Sequence, residues 1–131
     1  MKFNGFHHIG LLVTDAEKSR DFYTQGLGGK VIFSFPMSGT DQTIYLVDMG
    51  GNAVLEIIPK GTKDEETNAR WAHVALCTDD PKAAYEAAIK AGAESRMEPK
   101  EVKLGTMEAY LSFVYGPDRE VVEFFKVIKE G

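Results

Sequence analysis

At 131 residues, with an apolar content of 44%, the chain has the size of one compact domain or of two very small units sharing a core. Twenty acidic against fifteen basic side chains give a net charge of −5, and no Lys/Arg run tracks a phosphate backbone, which excludes nucleic acid as a partner. A single cysteine, Cys77, precludes an internal disulfide, and the start of the chain resembles neither a signal-peptide core nor a membrane span, so a cytoplasmic protein is expected.

In chain order, Phe6 to Val13 is rich in apolar and β-branched residues and reads as a strand. Thr14-Asp15-Ala16-Glu17 fits a capping box, with Thr14 at the N-cap and Glu17 three residues on, so a helix is expected next. Phe22 and Tyr23 supply its buried side, and Gly26, Gly28 and Gly29 close it. Lys30 to Phe35 reads as a second strand ended by Pro36, and the Ser38 to Asp41 cluster turns the chain into a third, Thr43 to Met49. Gly50-Gly51-Asn52 is a hairpin signal that pairs this strand with Ala53 to Pro59. The first module, residues 5–59, is therefore β-α-β-β-β. Residues 60–70 are almost entirely polar and read as a solvated linker.

The second module, residues 71–128, repeats the order, and the two modules are expected to pack as one domain over residues 1–131. Trp71 to Thr78 is a strand; Asp80 with Pro81 starts a helix whose apolar stripe is Ala84, Tyr85, Ala88 and Ile89, and Gly92 stops it. Glu94 to Glu98 is a weak strand by pattern and Met107 to Tyr115 a stronger one. Tyr115-Gly116-Pro117-Asp118 then turns the chain into Glu120 to Ile128.

The order repeats because the sequence does. Phe6 to Asp15 and Trp71 to Asp80 align so that His8 falls on His73, Leu11 on Leu76 and Asp15 on Asp80, and the same offset places Tyr45 on Tyr110. A slightly longer offset places Glu56, in Val-Leu-Glu-Ile-Ile, on Glu123, in Val-Val-Glu-Phe-Phe. By strand alternation, each of these histidines and glutamates shares a face with apolar neighbours and is expected to point inward. Buried carboxylates require a compensating charge, and no lysine or arginine shares those faces near the glutamates. A cation from solution is the simplest compensation, and two imidazoles with two carboxylates suit zinc, nickel, cobalt or iron(II). A single strand histidine or glutamate is more often a packed or solvated residue; the duplication favours the site. His7 falls on the opposite face and reads as a surface or interface residue, and Cys77 as a small buried hydrophobe.

These residues resemble the vicinal oxygen chelate superfamily. The likeness rests on His8-Ile9-Gly10-Leu11-Leu12-Val13-Thr14-Asp15, on Phe22-Tyr23 with Leu27-Gly28, on His73-Val74-Ala75-Leu76, and on Gly116-Pro117-Asp118 before Val122-Glu123. It implies an α+β fold of two βαβββ modules forming an open eight-stranded barrel around a metal, commonly in a homodimer. Within the superfamily, the set His8, Glu56, His73 and Glu123 is similar to the metal ligands of glyoxalase I. That likeness implies one divalent ion per site, nickel, zinc or cobalt, and a small carbonyl substrate such as a hemithioacetal of methylglyoxal. It implies proton transfer next to the carbonyl through a metal-bound enediolate, with Glu123 as base and Glu56 as partner acid or base.

One position departs from the pattern: Leu12 stands where glyoxalase I has an arginine that helps hold the glutathione carboxylate. The alternatives are an enzyme similar to methylmalonyl-CoA epimerase and a non-enzymatic small-molecule binding protein of the resistance type. Phe33, Phe35, Trp71, Met107 and Phe113 are candidates to line a substrate cup.

Overall fold

The computed structural model describes residues 2, 6–59, 73–104 and 106–131. The chain divides into two compact units, residues 1–65 and 66–131. The expected linker, 60–70, and Trp71 lie outside the described residues.

In the first unit β1 (Ile9–Val13) leads into α1 (Ala16–Asp21), which continues through a π-helical turn at Phe22–Gly26. β2 (Lys30–Pro36), β3 (Thr43–Asp48) and β4 (Val54–Pro59) follow. The helix starts one residue later than the capping box predicts: Asp15, in extended conformation, is the N-cap, and its carboxylate accepts from the Lys18 amide at 3.0 Å. An ionised side chain satisfies the free amides of the first turn better than a hydroxyl does, which favours Asp15 over Thr14. Phe22 and Tyr23 are buried as expected. The β3–β4 hairpin turns through Gly50, Gly51 and Asn52, all at positive φ, so the glycine pair and an asparagine stand where other residues would be strained.

The second unit repeats the plan with β5 (Val74–Cys77), α2 (Pro81–Lys90), β6 (Glu94–Leu104), β7 (Met107–Tyr115) and β8 (Val121–Lys129). Asp80 caps α2 by accepting from the Ala83 amide at 3.0 Å, with Pro81 at the first turn. β6 is the clearest difference from the pattern-based expectation, since it runs on to Leu104 rather than stopping at Glu98. Its interruptions in register, between Ser95 and Met97 and between Met97 and Lys100, let it absorb Pro99 and disguise its alternation.

Each unit forms one open four-stranded sheet, in the order β1-β4-β3-β2 in the first and β5-β8-β7-β6 in the second. The outer pairs β1/β4 and β5/β8 are parallel and the rest antiparallel. The register corrects one detail of the repeat. Glu56 pairs with Leu46, and Glu123 with Phe113, so Leu46 corresponds to Phe113 and Tyr45 to Ser112 rather than to Tyr110. The longer β6–β7 hairpin shifts the offset by two residues.

In both units the helix covers one face of the sheet. Arg20 on α1 donates to the Tyr45 hydroxyl, and Tyr45 shares its face with the buried Val47 and Ile57. In the second unit Ser112 donates to the Pro81 carbonyl of α2, on the face of the buried Val114, Val122 and Phe124. By alternation Glu56 and Glu123 lie on the faces away from the helices. That leaves one face of each sheet for chemistry.

Candidate metal and catalytic site

The parallel strand pairs bring histidine and glutamate together in the same way twice. On β4 Glu56 stands opposite Gly10 of β1, and His8, two residues before Gly10, shares that face. On β8 Glu123 stands opposite Ala75 of β5, and His73 lies two residues before it. His8 Nε2 is 3.6 Å from Glu56 Oε1, and His73 Nε2 is 3.3 Å from Glu123 Oε1. A small residue at the register position leaves room for each contact: a Cβ added to Gly10 would meet Ile58 Cδ1 at 3.5 Å and Glu56 Oε1 at 4.0 Å.

The histidines are less enclosed than strand alternation suggests. Each lies one residue before its strand, with side-chain exposures of 38% for His8 and 42% for His73, whereas Glu56 is 19% and Glu123 8% exposed. The strand face that each histidine shares is itself exposed rather than inward, at Gly10 and Leu12 of β1 and at Ala75 and Cys77 of β5, while the carboxylates on the neighbouring strands are more enclosed. Burial raises the Glu123 carboxyl above the usual carboxylate range, and the nearby His73 partly opposes that shift.

The donor chemistry fits a divalent metal. Two donors about 2.1 Å from one ion stand about 3.0 Å apart at a right angle and about 3.4 Å apart at the tetrahedral angle. The observed 3.3 Å falls within that range and 3.6 Å just beyond it. Each pair offers one nitrogen and one carboxylate, and among the described residues no three of His, Cys, Asp or Glu are grouped to hold a metal ion.

Two neighbours escaped the sequence pattern. His7, expected on the opposite face, reaches the His8 ring: the two Nδ1 atoms are 2.9 Å apart and the rings are nearly perpendicular. Such a bond makes one ring the donor and the other the acceptor, which biases the tautomer of His8. The adjacency of His7 and His8 was the only available signal, and strict alternation argued against it. Arg96 lies over the Phe113 ring, 5.3 Å from its centroid, and Phe113 in turn stands edge-on to His73 at 5.9 Å. An arginine in a weakly patterned strand gives no such signal.

Of the candidate lining residues, Phe113 is the register partner of Glu123 and shares its face. Phe33 pairs with Leu46 on the Glu56 face, and its ring lies 5.8 Å from that of Phe35. Met107 is at the far end of β7, about 20 Å along the strand from Phe113 at 3.3 Å per residue, too far to touch the His73–Glu123 pair. Cys77 is exposed at the end of β5, not buried as its type suggests. A cavity of about 430 Å³ beside the start of α1, bordered by Asp15, Glu17, Asp41 and Tyr45, includes none of the four candidate ligands. No helix among the described residues is long and apolar enough to cross a membrane.

Comparison with known proteins shows the family. The chain is 30% identical over 123 residues to a probable lactoylglutathione lyase of Vibrio cholerae serotype O1, covering 91% of this chain and 88% of that protein. It is 29% identical to the lactoylglutathione lyase of Escherichia coli O157:H7, covering 91% and 90% of the two chains. Among solved structures, a glyoxalase I mutant from Zea mays superposes with a TM-score of 0.75 at 20% identity, over 91% of this chain and 44% of the maize chain. A glyoxalase/bleomycin resistance protein/dioxygenase from Alicyclobacillus acidocaldarius gives a TM-score of 0.69 at 20% identity, over 96% and 93% of the two chains. Residues 5–124 match the family model itself, and the chain belongs to the Glyoxalase/Bleomycin resistance protein/Dioxygenase superfamily.

Proposed function

We propose that this protein is a metal-dependent enzyme of the glyoxalase I type, similar to lactoylglutathione lyase, that moves a proton between carbons next to a carbonyl. The observation that carries the reading is the duplicated pair: His8 with Glu56 and His73 with Glu123, each set at the same register of a parallel strand pair. The named lactoylglutathione lyases among its relatives support the same class of reaction.

In this proposal His8, Glu56, His73 and Glu123 are the ligands of a divalent metal, with nickel, zinc or cobalt as the ion. Such an ion, when bound, supplies Lewis-acid stabilisation of the negative charge that develops on the substrate oxygens. The remaining steps belong to the chain. Glu123 is the base: of the two carboxylates it is the more enclosed, 8% exposed against 19% for Glu56. It takes the proton from the carbon beside the carbonyl and returns it to the neighbouring carbon. Glu56, more open to solvent, is the partner acid or base. His8 and His73 hold nitrogen donors on the exposed strand faces, and Phe113 stands edge-on to the His73 ring. The active form in this proposal is a homodimer.

The test is turnover of methylglyoxal hemithioacetals made with several thiols, by the purified protein and by Glu123→Gln. The proposal expects activity with at least one thiol and a loss of about a hundredfold or more in the variant, as general-base removal produces. Equal activity in the two proteins contradicts the assignment.

A further inference from the structure

Among the described residues there are three arginines, and two are tied to carboxylates. Arg20 pairs with Asp21 at 3.0 Å and donates to Tyr45. Arg119 pairs with Glu94 at 2.7 Å and lies over Tyr115. Arg96 differs: among the described residues its guanidinium meets no carboxylate, and its contact is the face of Phe113.

The backbone explains where Arg96 points. β6 and β7 pair Ser95 with Val114 and Met97 with Phe113, so Arg96 is the extra residue of a bulge. Bulges re-aim side chains out of the regular alternation. Ser95 accepts from the Tyr85 hydroxyl on the helix side, and Arg96 turns to the other side, over Phe113. Phe113 is the register partner of Glu123 and lies edge-on to His73. Guanidinium, ring, imidazole and carboxylate therefore share one face of one sheet, with Arg96 about 10 Å from Glu123 at two interstrand spacings. The first unit has a bulge at the matching place, between Val31 and Phe33, but its extra residue is the half-exposed Ile32. The duplicated bulge carries a cation only in the second unit.

A guanidinium held against an aromatic face keeps its in-plane N–H fork free, and that fork matches a carboxylate bidentately. In a chain of net charge −5 an anionic substrate is repelled overall, so a carboxylate approaching Glu123 needs a local cation. We propose that Arg96 is a specificity-determining residue that binds a carboxylate-bearing arm of the substrate while the reacting carbonyl lies at the His73–Glu123 pair. This rests on the proton-transfer function proposed above.

The experiment separates the two ideas. S-benzyl mercaptoacetate and its neutral amide are titrated into the wild-type protein, Arg96→Gln and Arg96→Lys, with binding read by NMR or calorimetry. In parallel, turnover is measured on the methylglyoxal hemithioacetals of mercaptoacetate and of mercaptoethanol. The wild type is expected to bind the carboxylate roughly tenfold more tightly than the amide at low salt, with the preference shrinking as salt rises. Arg96→Gln is expected to lose the preference while binding the amide as before, and Arg96→Lys to keep part of it. An anion preference absent from the wild type, or unchanged in Arg96→Gln, overturns the inference whatever the turnover. If the preference depends on Arg96 but no hemithioacetal is consumed, the anion site stands and the proton-transfer function fails.

Discussion

His73 Nε2 and Glu123 Oε1 come within 3.3 Å of each other from the parallel neighbours β5 and β8, and His8 and Glu56 repeat the relationship at 3.6 Å on β1 and β4. A duplicated sheet register thus yields two matched nitrogen–carboxylate pairs. In each unit the helix covers the opposite face of the sheet, which keeps the core and the candidate chemistry apart.

The register also predicts which substitutions the first pair tolerates. Gly10 faces Glu56, and the matching position of the second unit is already alanine, Ala75. Gly10→Ala should leave metal content unchanged, because its Cβ makes ordinary contacts at 3.5 and 4.0 Å. Gly10→Leu should place bulk beside Glu56 Oε1 and lower metal content several-fold with the fold retained. Metal analysis with circular dichroism checks both; undiminished metal in Gly10→Leu would show that the space beside Glu56 is not used.

Glu123 gives a pH prediction for the metal-free protein. Its folded pKa lies above the ordinary 4.5, chiefly through burial, so the native state keeps this proton to higher pH than the unfolded chain does. The stability contributed is full below the unfolded pKa and is lost as pH rises through the folded one. Glu123→Gln, which stays neutral, should match the wild type well below pH 4.5 and become the more stable of the two as pH rises above that value. Urea denaturation of chelator-treated protein across that range measures this. A wild type that gains on the variant with rising pH would reverse the sign.

Ser19 on α1 is fully buried, and among the described residues its hydroxyl has no hydrogen-bond partner. Ser19→Ala removes an unsatisfied polar group and improves helix propensity, so stability should rise by up to about 1 kcal/mol. A loss of more than about 1 kcal/mol in chemical denaturation would mean that the hydroxyl has a partner after all.

Much of this was legible in the sequence because duplication doubles each signal. The match of His8 to His73 and of Glu56 to Glu123 named the residues that the parallel strand pairs bring together. Hairpin glycines and the Asp80-Pro81 start placed the elements. The departures have local causes. Alternation says which residues share a face but not which face is covered, and the face of His8 with Leu12 and of His73 with Ala75 is the exposed one; β1 begins only after His8, which leaves His7 free of the alternation and able to reach the His8 ring. The bulges of β6 broke the same rule, hiding the length of that strand and the aim of Arg96. Cys77 shares the exposed face of β5 with Ala75, so its position rather than its residue type decides its burial.

The central claim is that the four duplicated side chains hold a divalent metal. Elemental analysis of untagged protein, purified without added metal and run beside the double variant His8→Ala, Glu123→Ala, tests it most directly. The account predicts about one transition-metal ion per site in the parent and little in the variant. If neither protein retains metal, even after nickel, cobalt or zinc is offered, the metal centre is contradicted and the proton-transfer function loses its basis.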